Sequence, residues 1–458
     1  MAVETGSFRD PSGQVFIYNK KIYRCIYQPG LKDYHLASEK SIYDDLIQKQ
    51  MMINHTEANF EFAPDATEIC LEHPRLPFIS YPWEWSFSML KDAALLHLQI
   101  MEYLIPKGFW LRDASVFNTQ YSDTGLLLID TLSIGEKPPQ SPWVAYSQFC
   151  SHFLAPLATA AYCDIRTMGL WRNYIDGFPL DLAVKMIPFY KKFSPRLFMH
   201  LTLHAQFQKK ADQKKDLLLD KKHKKPSMNE LSLIGIINSL KKCITNINWK
   251  KNSKIWASYD DIRTYDTDDI KEKADYIRTA IKKLSPSMVW DLGGNTGEFS
   301  LIAAEKGAWV ISIDGDPACT ELIYTKITKT QNGKRIIPLT MDLANPSGGL
   351  GWENKERLSL NQRGPADLLL ALALIHHLVF SANIPLERIA GWFASLCENL
   401  VVEFMPPEDP MIKKLVQNRP EHLPYTLDIF KSGFGKYFEF CDQKILQNKR
   451  ILFLCKKK

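Results

Sequence analysis

Apolar positions follow two regimes along this chain. From residue 288 onward, short runs rich in leucine and β-branched residues alternate with amphipathic stretches; the runs occupy 288–292, 309–313, 335–341, 367–374 and 400–404. Such alternation predicts a parallel sheet with helices on both faces, since strands buried on both sides carry near-continuous apolar runs. Two closing runs, 437–441 and 450–455, lie too close for a crossover helix, so the last is predicted to pair antiparallel. Upstream, apolar residues at 87, 90, 94, 98, 101 and 105 recur every three or four positions. That spacing predicts a helix between 86 and 106 with one buried face. Residues 13–27 and 67–81 carry short apolar runs that suit strands.

Composition changes this picture little, and charge changes it locally. Apolar residues are 45% and charged residues 24% of 458, ordinary for a globular chain. At roughly 150 residues per domain, two or three domains are expected. The formal net charge of +6 is concentrated in 205–226, where eight lysines face three aspartates, a net of +5. This stretch reads as a solvated linker; the alternative is a patch for nucleic acid or anionic lipid. No aromatic residue between Lys209 and Lys225 is there to stack on bases, which argues against single-stranded nucleic acid. The nine cysteines are scattered and never spaced Cys-x-x-Cys, which argues against a disulfide framework and a zinc module. Residues 1–16 lack an apolar signal core, and the longest apolar run, 368–375, is too short to cross a bilayer. The expectation is a soluble cytoplasmic protein without membrane insertion.

The candidate chemistry begins where the first strand of the regular half runs into Asp291-Leu292-Gly293-Gly294-Asn295-Thr296-Gly297, followed by a predicted helix over 299–306 that stops at Gly307. Glycines let the backbone take positive φ and approach a ligand closely. The helix start offers free N–H groups to a polar or anionic group. Twenty-three residues after Asp291, the second strand ends in Asp314, placed to accept hydrogen bonds from both hydroxyls of a ribose. Counted from Gly293, the third and sixth positions of a dinucleotide fingerprint hold Asn295 and Glu298, so that fingerprint fails, and no P-loop pattern occurs.

At Asp291–Gly297 the sequence resembles class I S-adenosylmethionine-dependent methyltransferases, with Asn295 in place of the middle glycine; asparagine also tolerates left-handed geometry. The resemblance covers about 273–458. It implies a doubly wound, seven-stranded Rossmann-like sheet with an antiparallel last strand, and S-adenosylmethionine as cofactor. It places Asp291, Gly293, Gly294, Asn295 and Gly297 at the methionine end, Asp314 on the ribose and Asp342 at the adenine amine. His376 and His377, at the lip after the fourth strand, and Glu403, ending the fifth, are candidates for the base that takes the acceptor's proton, His377 ahead of Glu403. Each has a plainer reading: the histidines cap a helix or contact cofactor, and Glu403 bonds a neighbouring loop. No Asn/Asp-Pro-Pro-Tyr follows strand four and no Pro-Cys dipeptide occurs, which disfavours base-amine and cytosine-C5 methylation. A hydroxyl, carboxyl or amine on a small molecule, sugar or protein stays open.

In the first half, Arg112-Asp113 followed by Asn118, and Asp130 closing the run 126–129, resemble the catalytic loop and metal-binding aspartate of protein-kinase-like enzymes. The resemblance makes Asp113 a base and Asn118 and Asp130 magnesium ligands. Leu111 stands where that family has histidine, Asp130-Thr131-Leu132 lacks the usual phenylalanine and glycine, and Lys21 or Arg24 would have to serve as the nucleotide-binding lysine. The aromatic segment 78–87 is either a binding edge or a packed corner. Over its full length, with Phe8–Gly13, 81–87, 111–117 and 129–133 ahead of the methyltransferase module, the chain resembles bacterial nodulation-type methyltransferases. The expected organisation is an α+β accessory domain over 1–205, a lysine-rich linker over 206–227 and a methyltransferase domain over 228–458. The rival readings are a phosphotransferase in the first half with the second as its cofactor-binding regulator, and a non-catalytic cofactor sensor.

Overall fold

The computed structural model describes residues 2–215, 227–250, 267–327, 330–417 and 423–458. Most of the predicted linker, 216–226, lies outside the described residues. The chain divides into two compact units, one of 1–250 with 351–357, the other of 251–350 with 358–458. No described helix is long and apolar enough to cross a membrane.

The first unit opens on an antiparallel sheet of β1 (Ala2–Val3), β2 (Gly13–Tyr18), β3 (Lys21–Tyr27), β4 (Thr56–Glu57) and β5 (Thr67–His73), in the order β1-β2-β3-β5-β4. Helix α1 (Gln28–Glu39) follows β3 directly. Helix α2 (Phe87–Leu104) realises the predicted amphipathic segment, capped by the Ser86 hydroxyl accepting from the Met89 amide. Two small hairpin-like pairs follow, β6 (Phe109–Leu111) with β9 (Ile134–Glu136) and β7 (Thr119–Ser122) with β8 (Gly125–Leu128). Residues 78–81 form no strand. Phe78, Tyr81, Trp83, Trp85 and Phe87 are all buried, and Trp85 donates to the Ser80 hydroxyl at 2.8 Å. The aromatic segment is therefore a packed corner rather than a binding edge.

Two segments join this unit against their position in sequence. Helix α3 (Glu230–Asn246) packs on α2, so the unit ends near 250 rather than at 228. Residues 351–357, drawn from the middle of the second half, belong to it as well. There Arg9 grips buried Glu356 through two hydrogen bonds of 2.8 and 3.0 Å, and Arg357 lies 4.0 Å over the Phe117 ring. Neither membership is visible in local sequence pattern, because both are set by apolar faces and charges distant in the chain.

The second unit is one sheet of seven strands: β10 (Met288–Leu292), β11 (Trp309–Asp314), β12 (Ile336–Thr340), β13 (Ala366–Ala371), β14 (Cys397–Phe404), β15 (Phe438–Ile445) and β16 (Ile451–Lys457). Their order is β12-β11-β10-β13-β14-β16-β15. The first five pair in parallel, and β16 runs antiparallel to both β14 and β15. Val289, Val310, Ile311, Leu368, Leu369 and Leu370 are fully buried, as strands covered on both faces require. The helices are α4 (Thr267–Leu284), α5 (Glu298–Glu305), α6 (Pro317–Ile327), α7 (Ile375–Phe380), α8 (Leu386–Leu396) and α9 (Leu427–Gly435), with a further short helix at Pro410–Val416. Strand order reverses at β10, whose parallel neighbours are β11 and β13; open sheets bind ligands at the carboxyl ends of strands at such a point.

Candidate functional site

The turn leaving β10 alternates in hand. Gly293, Asn295 and Gly297 have φ of 77°, 45° and 80°, so Asn295 supplies the left-handed step that its replacement of glycine required. The amides of Gly293 and Gly294 both donate to the Ile313 carbonyl, at 2.8 and 3.0 Å, which folds the turn back over β11. Gly294 is needed for space: a Cβ there would lie 2.2 Å from Ser312 Oγ. A Cβ on Gly293 would lie 3.5 Å from Leu374, so the turn faces the segment that follows β13 across a narrow gap.

Asp314 ends β11 beside this turn. One carboxylate oxygen accepts the Asn295 amide at 2.9 Å and the other the Asp316 amide at 2.8 Å. Burial pushes its pKa up, and the two amides oppose that rise. Each oxygen keeps acceptor capacity, because a carboxylate offers about four lone-pair sites. Asp291, by contrast, is buried below the turn. Its Oδ2 accepts the Ser300 hydroxyl at 2.6 Å, and Ser300 sits 3.0 Å from the Ser312 hydroxyl. Desolvation raises the Asp291 carboxyl to about 6 against the pull of Ser300. It ties the turn to α5. Asp342, exposed after β12, accepts the Ala344 amide at 2.9 Å, while the preceding Met341 amide donates to the Asp314 carbonyl.

The opposite lip is held from below. Ala373 has φ of 47°, a strained conformation for a residue with a Cβ. Its amide donates to Glu403 Oε2 at 2.8 Å, and the same oxygen accepts Lys273 Nζ at 2.5 Å. Glu403 Oε1 faces Arg450 at 3.6 Å, and Arg450 in turn bonds Asp409 at 2.8 Å. Glu403 has no surface exposure. Lys273 also lies 5.0 Å over the ring of Phe299, the second residue of α5. The two histidines start α7 in unlike settings. His376 is fully buried, with neither ring nitrogen hydrogen-bonded among the described residues, and desolvation lowers its pKa to about 2. His377 is exposed, its ring 4.2 Å from that of His376, its pKa lowered by desolvation.

Glycine turn, Asp314, Asp342 and the histidine lip thus gather along the carboxyl edge of β10 to β13. The first-half residues gather differently. Asp113 accepts the Ser115 amide and, at 2.6 Å, the Gln148 side chain. Asp130 accepts the Leu132 amide and, at 2.8 Å, the Arg24 guanidinium. Asn118 Nδ2 is buried with no hydrogen-bond partner among the described residues. Lys21 pairs with Glu72 instead. Among the described residues no three His, Cys, Asp or Glu side chains could hold a metal ion together. Asp130 thus meets Arg24, one of the two residues that the kinase-like resemblance names for the nucleotide-binding position, while Lys21, the other, pairs with Glu72.

Lys273 and Arg450 were not anticipated. A signal for Lys273 existed: it sits among Ile270, Ala274, Ile277 and Ile281, the apolar stripe of α4, where a cation requires a buried partner. Nothing local marks Arg450.

No protein-family model matches the chain. Among solved structures, the magnesium protoporphyrin IX methyltransferase ChlM of Synechocystis PCC 6803, with bound SAH, aligns with 42% of this chain and 84% of its own, at 17% identity and a TM-score of 0.32. The CcbJ methyltransferase of Streptomyces caelestis aligns with 40% of this chain and 96% of its own, at 12% identity and a TM-score of 0.30. The nodulation protein NoeA of Rhizobium meliloti (strain 1021) is 31% identical over 460 residues, 98% of this chain and 94% of that protein. Identity at that level over nearly the whole of both chains places this protein in the NoeA family.

Proposed function

We propose that the second unit transfers a methyl group from S-adenosylmethionine to a hydroxyl, carboxyl or amine of a small molecule, sugar or protein. One observation carries this reading. A turn left-handed at Gly293, Asn295 and Gly297 is pinned by its own amide to Asp314, at the strand switch of a sheet whose seventh strand is antiparallel. The residues fit the cofactor: side chains are excluded from the turn at Gly293 and Gly294, and Asp314 retains acceptor sites for two ribose hydroxyls. Asp342 then stands at the adenine end. When bound, S-adenosylmethionine supplies a methyl group already activated on sulfur, so alignment is most of what the protein must add.

His377 is the residue we assign to the acceptor's proton. It reaches solvent, and its lowered pKa keeps a ring nitrogen free to accept a proton at neutral pH. Glu403 is a positioning residue, its Oε2 bonded to Lys273 and the Ala373 amide and its Oε1 3.6 Å from Arg450. His376, sealed from solvent, supports the lip. Calorimetric titration with S-adenosylmethionine and S-adenosylhomocysteine tests the reading. Micromolar binding of both, lost in Asp314→Ala, supports it; absence of binding by the wild type ends it.

A further inference from the structure

A surface of the first unit departs from what a water-exposed face should carry. Phe189, Tyr190 and Phe193 fall within five residues and are 75%, 73% and 57% exposed. They form a knuckle between two prolines: Pro188 precedes the one-turn helix Phe189–Lys192 and Pro195 opens the next. The knuckle is anchored, since the Thr202 hydroxyl donates to the Lys192 carbonyl at 3.0 Å. Aromatic rings are the side chains that gain most from leaving water, so three held outward on a braced turn mark a contact face.

The chain is basic between Asp181, which pairs with Lys185 at 3.2 Å, and Asp212. From residue 182 to residue 211 the sequence holds six lysines and arginines (185, 191, 192, 196, 209 and 210) and no aspartate or glutamate. Lys191 spends part of its stem on rings, with Nζ 4.3 Å over Tyr162 and 5.7 Å over Tyr190. Arg196 and the aliphatic Met199, 48% exposed, complete the rim.

We propose that this knuckle is a peripheral attachment site for an anionic lipid bilayer. Phe189, Tyr190 and Phe193 enter the interfacial layer while Lys191, Lys192 and Arg196 meet the headgroups. Rings at the headgroup level with a lysine and arginine collar are the composition such interfaces favour, and each cation near an anionic leaflet adds attraction. Lys191 and Lys192 directly beside the rings suit headgroups better than the lysine-poor core of a protein interface, although such cores favour aromatic rings too. A single-stranded nucleic acid needs open ring faces to stack on. Here Phe189 meets Phe193 edge-on at 4.9 Å and Phe193 stacks on Phe198 at 6.0 Å. The attachment is independent of methyl transfer.

Flotation of the full chain with vesicles tests this. Vesicles of phosphatidylglycerol and phosphatidylcholine in equal parts should capture the wild type at least tenfold more than pure phosphatidylcholine, less so as salt rises. The F189S/Y190S/F193S variant should lose at least tenfold of that capture with an unchanged melting temperature. K191E/K192E, which leaves the rings in place, should lose it too, and it decides the matter if the serine variant misfolds. Wild type that ignores anionic vesicles at low salt overturns the proposal. So does capture unchanged in both variants, which would assign it to another segment. So does vesicle-independent loss of self-association or of single-stranded RNA binding in the same variants.

Discussion

Asp314 and Asp130 begin alike and end differently. Each closes an apolar run, each has its pKa raised by burial, and each turns back to accept the amide two residues on, Asp316 or Leu132. The second partner separates them. Asp314 takes a neutral amide from the glycine turn. Asp130 takes the Arg24 guanidinium, with Asp10 a further 3.9 Å from that arginine. What an aspartate that closes an apolar run is set against is therefore decided by the rest of the fold. The short motif is the same in both.

The contrast can be broken from either side. The largest effect is expected from Arg24→Met, which strands a mostly buried carboxylate and should cost the first unit about 3–5 kcal/mol. Urea unfolding reads that loss, while S-adenosylhomocysteine affinity should stay at the wild-type value. Asp314→Ala should do the reverse, weakening S-adenosylhomocysteine at least a hundredfold, about 3 kcal/mol for two charged hydrogen bonds. Calorimetry measures it, and an unchanged affinity would equate Asp314 with Asp130.

A third test concerns the acid beneath the turn. The folded Asp291 carboxyl titrates near 6 against an ordinary 3.8, so the native state holds its proton longer than the unfolded chain does. Its contribution is present below the unfolded value and is lost as pH climbs through about 6. The gap is worth about 3 kcal/mol at most. Unfolding curves from pH 4 to pH 7 should therefore show the wild type falling relative to Asp291→Asn, whose side-chain oxygen still accepts from Ser300. Parallel curves would mean that the carboxyl is solvated. The smallest effect is expected of Gly294→Ala. The added methyl meets Ser312 Oγ, and the overpacking should cost about 1–3 kcal/mol, read as a lowered melting temperature.

Much of the second unit was readable in advance because its signals are local. Val289, Ile311 and Leu369 lie in runs that only a doubly covered strand explains. Asn295 among glycines states a backbone hand without any tertiary information. The predicted helix over 299–306 and the observed Glu298–Glu305 differ by one residue at each end. The first unit was harder. Its strands are short, its aromatic segment 78–87 has one composition for two fates, and the Asp113–Asp130 pattern did not choose between Lys21 and Arg24 as its cationic partner. Lys273 announced a buried partner without naming it, and that partner, Glu403, lies 130 residues away.

What the sequence determined by itself was the order of the seven strands' apolar runs, the left-handed turn after β10 and the acids that end β11 and follow β12. Dihedral preference and hydrophobic period act within a few residues, so they are written where they are used. Only the tertiary structure decided that Glu403 braces Ala373 rather than facing solvent, that 351–357 joins the first unit, and that Asp130 is spent on Arg24. Those outcomes depend on which charges meet in a low-dielectric interior, and such meetings are set by the packing of whole layers rather than by neighbours in the chain.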